Sequence, residues 1–422
     1  MSPADLRAKA AHAVAAVRRG RALRDVIEPG APSLVTELAY GACRRYFSVR
    51  AEVDACLARP LRKSDQDLYA LLMVGAYQVR HTGIPPHAAV SETVAATAAL
   101  RKPWARPLLN AVLRRIARTP PSHITDEARH DHPQWLIDAL EAAYPQACPE
   151  LFEINNSRAP MALRVNRART DPCRYGSKLD AQGLEHRPGI APGSLILERP
   201  IPARDLPGYE SGSVAVQDDG AQLAAALLDP RPGAAVLDAC AAPGGKAFHL
   251  LERDPSLRVS ALDRDEARLG YLKREGRRLG HVFHHVMAGD ATGSAWWDGE
   301  PFDAVLLDVP CSGTGTLRRH PDIKVNRRPE VLARMAEQQR ALLEGVWPTL
   351  SSGGTLLYCT CSILPAENQD VVAGFLRQTP DANAREIRAN WGRDAGPGRL
   401  LLPGRNGADG FFFALIDKAG AA

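Results

Sequence analysis

Long apolar runs are missing from this 422-residue chain, since no stretch approaches the roughly 18 residues that a membrane-spanning helix requires. The first 20 residues form an amphipathic pattern rich in Ala and Arg, without the apolar core of a signal peptide. Cysteine is also scarce, and eight cysteines in a chain of this length do not make a disulfide framework. We therefore expect a cytoplasmic protein with reduced thiols and no membrane association.

What is present is an ordinary globular composition, 45% hydrophobic and 24% charged, which suits two to three domains with substantial cores. The net charge of +5 is unevenly distributed, because residues 1–118 hold 19 Lys or Arg and nine Asp or Glu. This part therefore carries +10 and the remainder −5. A basic first part favours a polyanionic partner such as nucleic acid, although an arginine-rich solvated surface explains the charge equally well.

Hydrophobic periodicity predicts three domains. Residues 1–120 predict an all-helical domain, in which Leu6, Ala10 and Val14 share one helical face and Ser64 caps a later helix. A polar linker that contains prolines covers residues 119–132. Residues 133–215 combine short strands with a helix, which predicts a small α+β domain of the RRM-like type.

A basic face is predicted on this small domain, and it is as consistent with a solvated surface as with phosphate contacts. The arginines concerned are Arg158, Arg164, Arg167 and Arg169. From residue 216 to 420 short apolar runs alternate with amphipathic helices. This alternation predicts a mostly parallel, doubly wound, Rossmann-like α/β domain, whose ligand chemistry would lie at the carboxyl ends of its strands.

The loop at residues 238–246, Asp-Ala-Cys-Ala-Ala-Pro-Gly-Gly-Lys, joins a predicted strand to a helix. A P-loop would need Ser or Thr after the lysine and Gly five residues before the second glycine, but the chain has Ala247 and Cys240 there. The dinucleotide Gly-x-Gly-x-x-Gly pattern is absent too, which disfavours a nicotinamide dehydrogenase. With Asp263 and Asp290 at the next two strand ends, the loop predicts a nucleoside-type cofactor without pyrophosphate, such as S-adenosylmethionine.

Thiols follow two further predicted strands, at Cys311 in Asp-Val-Pro-Cys and at Cys361 in Thr-Cys-Ser. Structural zinc is disfavoured, because Cys359-x-Cys361 lacks the usual spacing and a nearby His, whereas simple packing would explain Cys240. Read alone, Cys311 beside Asp308 is the apparent nucleophile. Methylation of a pyrimidine at carbon 5 offers roles for every group: a thiolate adds at carbon 6, an acidic group stabilises the adduct, and a base then removes the carbon 5 proton.

Motifs in both halves carry a family resemblance. The stretches at 38–46, 83–94 and 109–115 resemble the NusB-like helical RNA-binding domain, and the third, Leu-Asn-Ala-Val-Leu-Arg-Arg, places the unusual polar Asn110 in an apolar stripe. A helix-packing hydrogen bond is the alternative role for Asn110. The loop 238–246 and the stretches at 308–315, 318–324, 360–368 and 409–414 resemble the RNA (cytosine-5) methyltransferases. The whole chain resembles the RsmB (Sun/Fmu) type, which methylates a cytosine of small-subunit ribosomal RNA.

The resemblance implies roles for individual residues. It makes Cys361 the nucleophile and Cys311 the second cysteine, which assists proton removal and product release. Lys246 and Asp308 would support the target base. The implied cofactor pocket, which binds S-adenosylmethionine, is lined by Cys240, Ala241, Ala242, Pro243, Gly244, Gly245, Lys246, Asp263, Asp290 and Asp308.

Cys359 and a basic stretch after the catalytic loop have no role fixed by these motifs. The family commonly has a small residue two positions before the nucleophile, where this chain has Cys359, which is either a partial substitute or a bystander. The basic stretch after the catalytic loop could hold phosphates near the flipped base; it comprises Arg318, Arg319, His320, Lys324, Arg327 and Arg328.

The expected partner is ribosomal RNA, free or partly assembled, and the expected state is a monomer. The alternatives are the same chemistry on transfer RNA and a catalytically inactive RNA-binding protein of the antitermination type.

Overall fold

The computed structural model describes residues 1–121 and 125–420, so residues 122–124 of the predicted linker lie outside the described residues. The chain divides into two compact units. The first comprises residues 1–158 together with 317–329, and the second comprises 159–316 and the chain from residue 330 onwards. In the described ranges, no helix combines the length and the apolar character needed to cross a bilayer.

The α-helices of the described residues are α1 (Pro3–Val17), α2 (Ser33–Arg44), α3 (Tyr46–Cys56), α4 (Gln66–His81), α5 (Pro86–Ala99), α6 (Arg106–Arg118), α7 (Asp126–His130), α8 (Gln134–Ala143), α9 (Cys148–Asn155), α10 (Pro172–Asp180), α11 (Asp219–Leu228), α12 (Gly245–Arg253), α13 (Glu266–Leu279), α14 (Asp322–Asn326), α15 (Pro329–Val346) and α16 (Gln369–Gln378). The strands are β1 (Met161–Val165), β2 (His186–Pro188), β3 (Ser194–Leu197), β4 (Val214–Val216), β5 (Ala235–Asp238), β6 (Arg258–Asp263), β7 (His285–Ala288), β8 (Phe302–Asp308), β9 (Leu350–Thr360), β10 (Ala382–Arg385), β11 (Arg393–Ala395), β12 (Gly398–Leu401) and β13 (Phe411–Lys418).

The first unit is helical, and its core is formed by small and aliphatic side chains from α1 to α6. Ser2 begins α1 with a reciprocal capping box to Asp5, which satisfies backbone N–H groups at the helix start. The prediction that Ser64 caps α4 is wrong, because a short 3-10 turn precedes the helix and Asp65 occupies the cap position without a side-chain hydrogen bond.

Lys324 of α14 is buried in this helical unit, where its Nζ donates to the carbonyl oxygen of Arg44 at 2.8 Å and to Oδ1 of Asn156 at 2.7 Å. Burial lowers the pKa of the Lys324 ammonium to about 7. The prediction that Lys324 contacts RNA phosphate is therefore wrong, since its donors already bind protein oxygens. The segment 317–329 is instead part of the packing of the helical unit.

The second unit contains a four-stranded antiparallel sheet in the order β2-β3-β1-β4. The prediction that Arg164 belongs to a basic surface is wrong, because this residue of β1 is only 2% exposed. Its guanidinium makes two 2.7 Å hydrogen bonds to the carboxylate of Glu252 on α12. A buried arginine needs such a bidentate partner, because an unpaired charge would be costly away from water.

The larger sheet of this unit has the order β11-β12-β13-β9-β8-β5-β6-β7, with β10 paired to β13. Strands β5 to β9 run parallel, as the alternation of helices and strands predicts. The C-terminal strands add an antiparallel part that the prediction of a mostly parallel sheet does not include, beginning with β13 against β9. The Rossmann-like fold class is confirmed, with a mixed sheet.

Candidate active site

The two predicted catalytic thiols meet at one edge of the large sheet. Strands β8 and β9 are parallel neighbours with Asp308 opposite Cys359, so the loops that follow both strands emerge side by side. Cys311 lies in the first loop and Cys361 in the second, and their Sγ atoms are 3.3 Å apart. The sequence placed both thiols after strands, and the parallel register brings them together.

The two sulfur atoms do not share the same electrostatic environment. The hydrogen bond between Cys311 and Cys361 is the largest cause that raises the pKa of Cys311 well above its usual value, followed by burial. Cys311 is therefore a thiol, and its S–H can donate to the sulfur of Cys361.

Asp308 lies at the end of β8 with about a third of its side chain exposed, and its carboxylate forms an ion pair with the ammonium of Lys246. Burial is the largest single influence on the pKa of Lys246 and lowers it, but the charge and hydrogen bond of Asp308 and the nearby Cys359 and Cys361 together outweigh burial, so the net shift is upward. The sulfur of Cys359 lies 3.5 Å from Asp308 Oδ1 and is fully buried. Lys246 is thus held protonated at the edge where the thiols lie.

Cys359 and Cys361 differ in accessibility although only one residue separates them. Strand β9 extends through Thr360, so Cys359 is a strand residue and Cys361 begins the loop. Burial is the largest cause that raises the pKa of Cys359 well above its usual value, with Asp308 adding to it. Cys359 is therefore a buried neutral thiol, whereas Cys361 is partly exposed.

Backbone hydrogen bonds of Gly315 join the loop that carries Cys311 to two neighbouring segments of the chain. The N–H of Gly315 donates to the carbonyl oxygen of Cys361 at 2.9 Å, and its own carbonyl oxygen accepts from the N–H of Gly410 at 2.8 Å. A Cβ atom at residue 315 would lie 2.2 Å from the Gly410 oxygen, so only glycine permits this approach. The motif glycine therefore serves backbone packing.

The loop after β5 contains the predicted cofactor residues. Asp238 is buried, its Oδ1 has no hydrogen-bond partner among the described residues, and burial raises the pKa of its carboxyl to about 7. Gly244 has a φ of +104° and precedes α12, which no side chain caps. The loop thus presents an unsatisfied acidic oxygen and an uncapped helix N-terminus to the same edge of the sheet.

The next two strand ends carry the other predicted acids. Asp263 is buried at the end of β6, where its two oxygens accept from the N–H groups of Ala242 and Asp265, each at 3.0 Å. An ionised carboxylate has about four lone-pair sites, so acceptor capacity remains for a ligand. Asp290 follows β7 and is exposed, and its hydrogen bonds with Thr292 lower the pKa of its carboxyl.

These groups fit S-adenosylmethionine. The unpartnered Asp238 oxygen suits a positively charged group such as its ammonium, the start of α12 suits its carboxylate, and Asp263 suits hydroxyl groups of a ribose. The protein groups that bind a cation, an anion and a diol are therefore all present. Within the described ranges, no three His, Cys, Asp or Glu side chains gather as a metal site.

One residue pair that supports this loop escapes sequence reasoning. Besides its ion pair with Glu252, the guanidinium of Arg164 donates to the carbonyl oxygen of Gly245 at 2.6 Å and to Gln217 Oε1 at 2.8 Å. The small sheet thereby holds the first turn of α12. No local signal in the sequence pairs residues 164 and 252, because they are 88 positions apart in the chain and meet only through tertiary packing.

Three family models match the chain in succession. The NusB family matches residues 5–118, a ferredoxin-like domain described for RsmF/B-like methyltransferases matches 132–204, and the 16S rRNA methyltransferase RsmB/F model matches 225–417. Together these matches cover nearly the full length.

Curated relatives are similar over the whole chain. Ribosomal RNA small subunit methyltransferase B of Citrobacter koseri is 41% identical, over 99% of this chain and 100% of that protein. The protein of the same name from Vibrio cholerae is 42% identical, over 94% and 92%. Among solved structures, PH0851 shares the fold with a TM-score of 0.85 at 24% identity and 99% coverage of both chains, and a methyltransferase homolog from Pyrococcus horikoshii has a TM-score of 0.61 at 25% identity, covering 71% of this chain and all of that one.

Proposed function

Because the chain belongs to the RsmB/F family of 16S ribosomal RNA methyltransferases, we propose that it methylates carbon 5 of one cytosine through a covalent intermediate. The chain is an S-adenosylmethionine-dependent methyltransferase of small-subunit ribosomal RNA. The choice of carbon 5, the covalent adduct and the residue roles are the proposal. We further propose that the protein acts as a monomer on free or partly assembled RNA.

A single observation carries the proposal: two thiols lie 3.3 Å apart beside the loop that fits the methyl donor. Methyl transfer to an oxygen or an exocyclic nitrogen has no use for a pair of cysteines. Carbon 5 of cytosine is different, because it becomes nucleophilic only after a nucleophile has added to carbon 6. The thiol pair supplies both the group that adds and a group that assists its release.

The first step is attack by Cys361. Its thiolate forms a bond to carbon 6, and the electron pair of the carbon 5–carbon 6 double bond is displaced into the ring towards N3. The base must be unstacked to reach the pocket. Cys361 is suited to this role because it is partly exposed and its sulfur lies 3.3 Å from that of Cys311, whose raised pKa keeps it a thiol.

Asp308 and Lys246 would stabilise the adduct. The partly exposed Asp308 carboxylate can accept from the exocyclic amine of cytosine, and Lys246 fixes its orientation through the ion pair. S-adenosylmethionine, when bound, supplies an electrophilic methyl group, which carbon 5 takes while the donor sulfur keeps the electron pair of the broken bond. Buried charges that are already in place need not reorganise during the reaction.

The second step restores the aromatic ring. A base removes the proton from carbon 5, the electron pair of that bond re-forms the double bond, and the carbon 6–sulfur bond breaks to release Cys361 as a thiolate. The main cause of the raised pKa of Cys311 is its hydrogen bond to Cys361. That bond weakens once Cys361 is a thioether, so Cys311 ionises more easily at the step that needs a base.

Methylation of unmodified RNA tests this function. The purified protein and S-adenosylmethionine are incubated with small-subunit ribosomal RNA transcribed in vitro, with the same RNA partly assembled with ribosomal proteins, and with transfer RNA. Nucleoside mass spectrometry and bisulfite sequencing then identify the product. We expect 5-methylcytosine at one position of the small-subunit RNA. Methyl groups on another atom, or on transfer RNA alone, would contradict the proposal.

A further inference from the structure

Glu367 connects the two cysteine loops. It ends the short 3-10 turn Pro365–Glu367 after the Cys361 loop and is completely buried. Its Oε1 accepts from the backbone N–H of Ser312 at 2.7 Å and from Nε2 of Gln339 at 3.3 Å. Its Oε2 accepts from the hydroxyls of Ser312 at 2.5 Å and Ser362 at 2.6 Å.

These four donors account for the whole acceptor capacity of the carboxylate. An ionised carboxylate has about four lone-pair sites, and hydrogen bonds to it are roughly twice as strong as those between neutral groups. The donors come from three separate segments: the loop after Cys311, the loop after Cys361, and α15. Ser312 and Ser362 are the residues that directly follow the two cysteines in the chain.

We propose that Glu367 is a positioning residue that sets the distance between the Cys311 and Cys361 sulfur atoms by bridging the residues next to them. This proposal rests on the proposed thiol chemistry. Glu367 touches neither the cysteine sulfur atoms nor any group that binds the base. It acts on the reaction through the two loop backbones.

The backbone around Glu367 is anchored as firmly as its side chain. The hydroxyl of Tyr358 donates to the Glu367 carbonyl oxygen at 2.7 Å. The neighbouring Asn368 accepts from Thr360 Oγ1 at 2.6 Å and donates to the carbonyl oxygen of Ser362 at 3.0 Å. All of these side chains are buried, so water does not compete for the hydrogen bonds. The carboxylate is therefore a fixed point to which both loops are tied.

The test compares Glu367→Gln with Glu344→Gln, a matched change at an exposed glutamate of α15. The glutamine keeps the size of the side chain but replaces one acceptor oxygen with an NH2 donor. Either the two serine hydroxyls at Oε2 or the Ser312 N–H and Gln339 at Oε1 therefore lose their acceptor. We expect turnover to fall about 10- to 100-fold through misplacement of the thiols, with the KM for RNA unchanged. The Glu344 variant should behave as wild type.

A second readout reports the thiol geometry without RNA. The rate at which a mild oxidant joins Cys311 and Cys361 depends on their distance and alignment. We expect Glu367→Gln to slow this coupling at least fivefold, while S-adenosylmethionine binding and the melting temperature show that the fold is retained. Equal coupling rates and equal turnover would overturn the proposal. Slower coupling in a protein that forms no 5-methylcytosine would refute the proposed function but not the positioning role.

If Glu367→Gln does not fold, the serines provide the alternative. Ser312→Ala with Ser362→Ala removes both hydroxyl donors but leaves the carboxylate bonded to the Ser312 backbone and to Gln339. We expect about a tenfold loss of turnover and slower thiol coupling for the double variant, and less for either single variant. A double variant with wild-type turnover and coupling would overturn the proposal.

An independent observation concerns the helical unit. A groove of about 440 Å³ lies between α5 and α6, and none of its ten lining residues is acidic. Arg106, Arg114 and Arg118 line it, all exposed and without a carboxylate partner in the described part of the chain. Asn110 lies between them and accepts from Arg114 Nε at 3.0 Å. It is therefore a half-buried residue of this stripe, and within the described part of the chain it makes no hydrogen bond to another helix.

The stripe formed by Arg106, Asn110, Arg114 and Arg118 is long enough to contact several nucleotides of a single strand. Its members recur every four residues from 106 to 118, so they extend along about 18 Å of one helix face. Trp104, two residues before the stripe, is 62% exposed. Exposed cations beside an aromatic ring are typical of surfaces that hold phosphates and stack bases of single-stranded RNA.

We infer that the α5–α6 groove binds a single-stranded segment of the RNA substrate, an inference that rests on the proposed RNA methylation. The test replaces Arg106, Arg114 and Arg118 with Gln. The control replaces the exposed Arg19, Arg59 and Arg62 of the same unit and removes the same charge.

For small-subunit RNA without cofactor, we expect the groove variant to reduce the slope of log K against log salt by about 2, from three lost contacts of about 0.7 each. The KM for RNA should rise about tenfold with unchanged turnover at saturation, and the control should change neither quantity by more than about twofold.

Equal effects of both triple variants would show that RNA affinity depends on the net charge of the domain and not on the groove, and would overturn the inference. A defect seen only on protein-containing particles would point to a protein partner and would overturn it as well. Because RNA binding needs no methyl transfer, its loss in the groove variant would stand even if no methylated cytosine were found.

Discussion

The thiol loops and the cofactor loop lie at the same sheet edge but differ in how completely they satisfy their own polar groups. Around Cys311 and Cys361, the Glu367 carboxylate is bonded by four donors, and the buried serine hydroxyls have partners. In the loop after β5, by contrast, Asp238 keeps a buried oxygen that has no hydrogen-bond partner among residues 1–121 and 125–420, and no side chain caps α12. The buried polar groups around the thiols thus have their hydrogen bonds without a ligand, whereas those of the cofactor loop do not.

The difference separates a reaction centre from a binding site. A buried polar atom without a partner costs about 1–3 kcal/mol, and a ligand that satisfies the atom recovers that free energy on binding. Hydrogen bonds that are complete in the free protein hold reacting groups in place before the substrate arrives. The thiol loops are therefore preorganised, whereas the cofactor loop is completed by binding. The following changes test this contrast.

Cys361→Ala should have the largest effect. Without the sulfur that adds to carbon 6, carbon 5 stays unreactive, and we expect methyl transfer to fall by about three orders of magnitude or more. The measurement is transfer of a labelled methyl group to unmodified small-subunit RNA. S-adenosylmethionine affinity should not change. Turnover near the wild-type value would refute the nucleophile assignment.

Cys311→Ala should slow turnover about 100-fold, by impairing a proton-transfer step and not the attack. Because release of Cys361 then lags behind methyl transfer, a covalent complex of protein and methylated RNA should accumulate. A denaturing gel detects it as a shifted band, which Cys361→Ala with Cys311→Ala should abolish. Absence of the band in the single variant would count against a release role for Cys311.

Asp238→Asn should lower the affinity for S-adenosylmethionine about tenfold at pH 8 and change its pH dependence. The pKa of the Asp238 carboxyl is raised to about 7 by burial, so the wild-type protein should bind the cationic donor more tightly at pH 8 than at pH 6. Calorimetry at both pH values should show no such rise for the variant.

The stability of the protein without cofactor should also depend on the ionisation of Asp238. A carboxyl whose pKa is raised on folding is harder to ionise in the folded state, so its contribution to stability falls as pH rises from about 4 towards 7. Asp238→Asn should remove this decline from the melting temperature without cofactor. An unchanged pH profile would contradict a role for this carboxylate.

Cys359→Ala should have the smallest effect. Its sulfur makes one weak contact with Asp308 at 3.5 Å and is buried away from the thiol pair. We expect turnover within about threefold of wild type and a small loss of stability from the space left behind. Steady-state kinetics with RNA decides the point, and a loss approaching that of Cys361→Ala would give Cys359 a direct part in the chemistry.

Much of the fold could be read from periodicity. The alternation of apolar runs and amphipathic helices predicts β5 to β9 and the helices between them, and both the fold class and the family resemblance are confirmed. The C-terminal antiparallel strands were not predicted. Residues 411–416, Phe-Phe-Phe-Ala-Leu-Ile, are apolar at consecutive positions because this part of β13 is buried on both faces, so it lacks the alternation that marks a half-buried strand.

Charged residues in the interior were the main source of error. Arg164 was predicted on an exposed basic face and Lys324 as a residue that could hold phosphates, yet both are buried with protein partners. A lone arginine or lysine is usually exposed, and its sequence neighbours do not reveal a carboxylate or an amide far along the chain. The same limit applies to Glu367, whose motif was recognised without any indication that it joins two loops.

Hydrophobic patterns in the sequence were enough to place two thiols and four carboxylates at strand ends, because short-range patterns encode strand ends and parallel sheets collect those ends at one edge. The 3.3 Å approach of the Cys311 and Cys361 sulfur atoms, the burial of Cys359, and the lack of a hydrogen-bond partner for Asp238 Oδ1 among the described residues are evident only in the three-dimensional structure. These properties depend on register, loop packing and hydrogen bonds between distant segments, which no local pattern specifies.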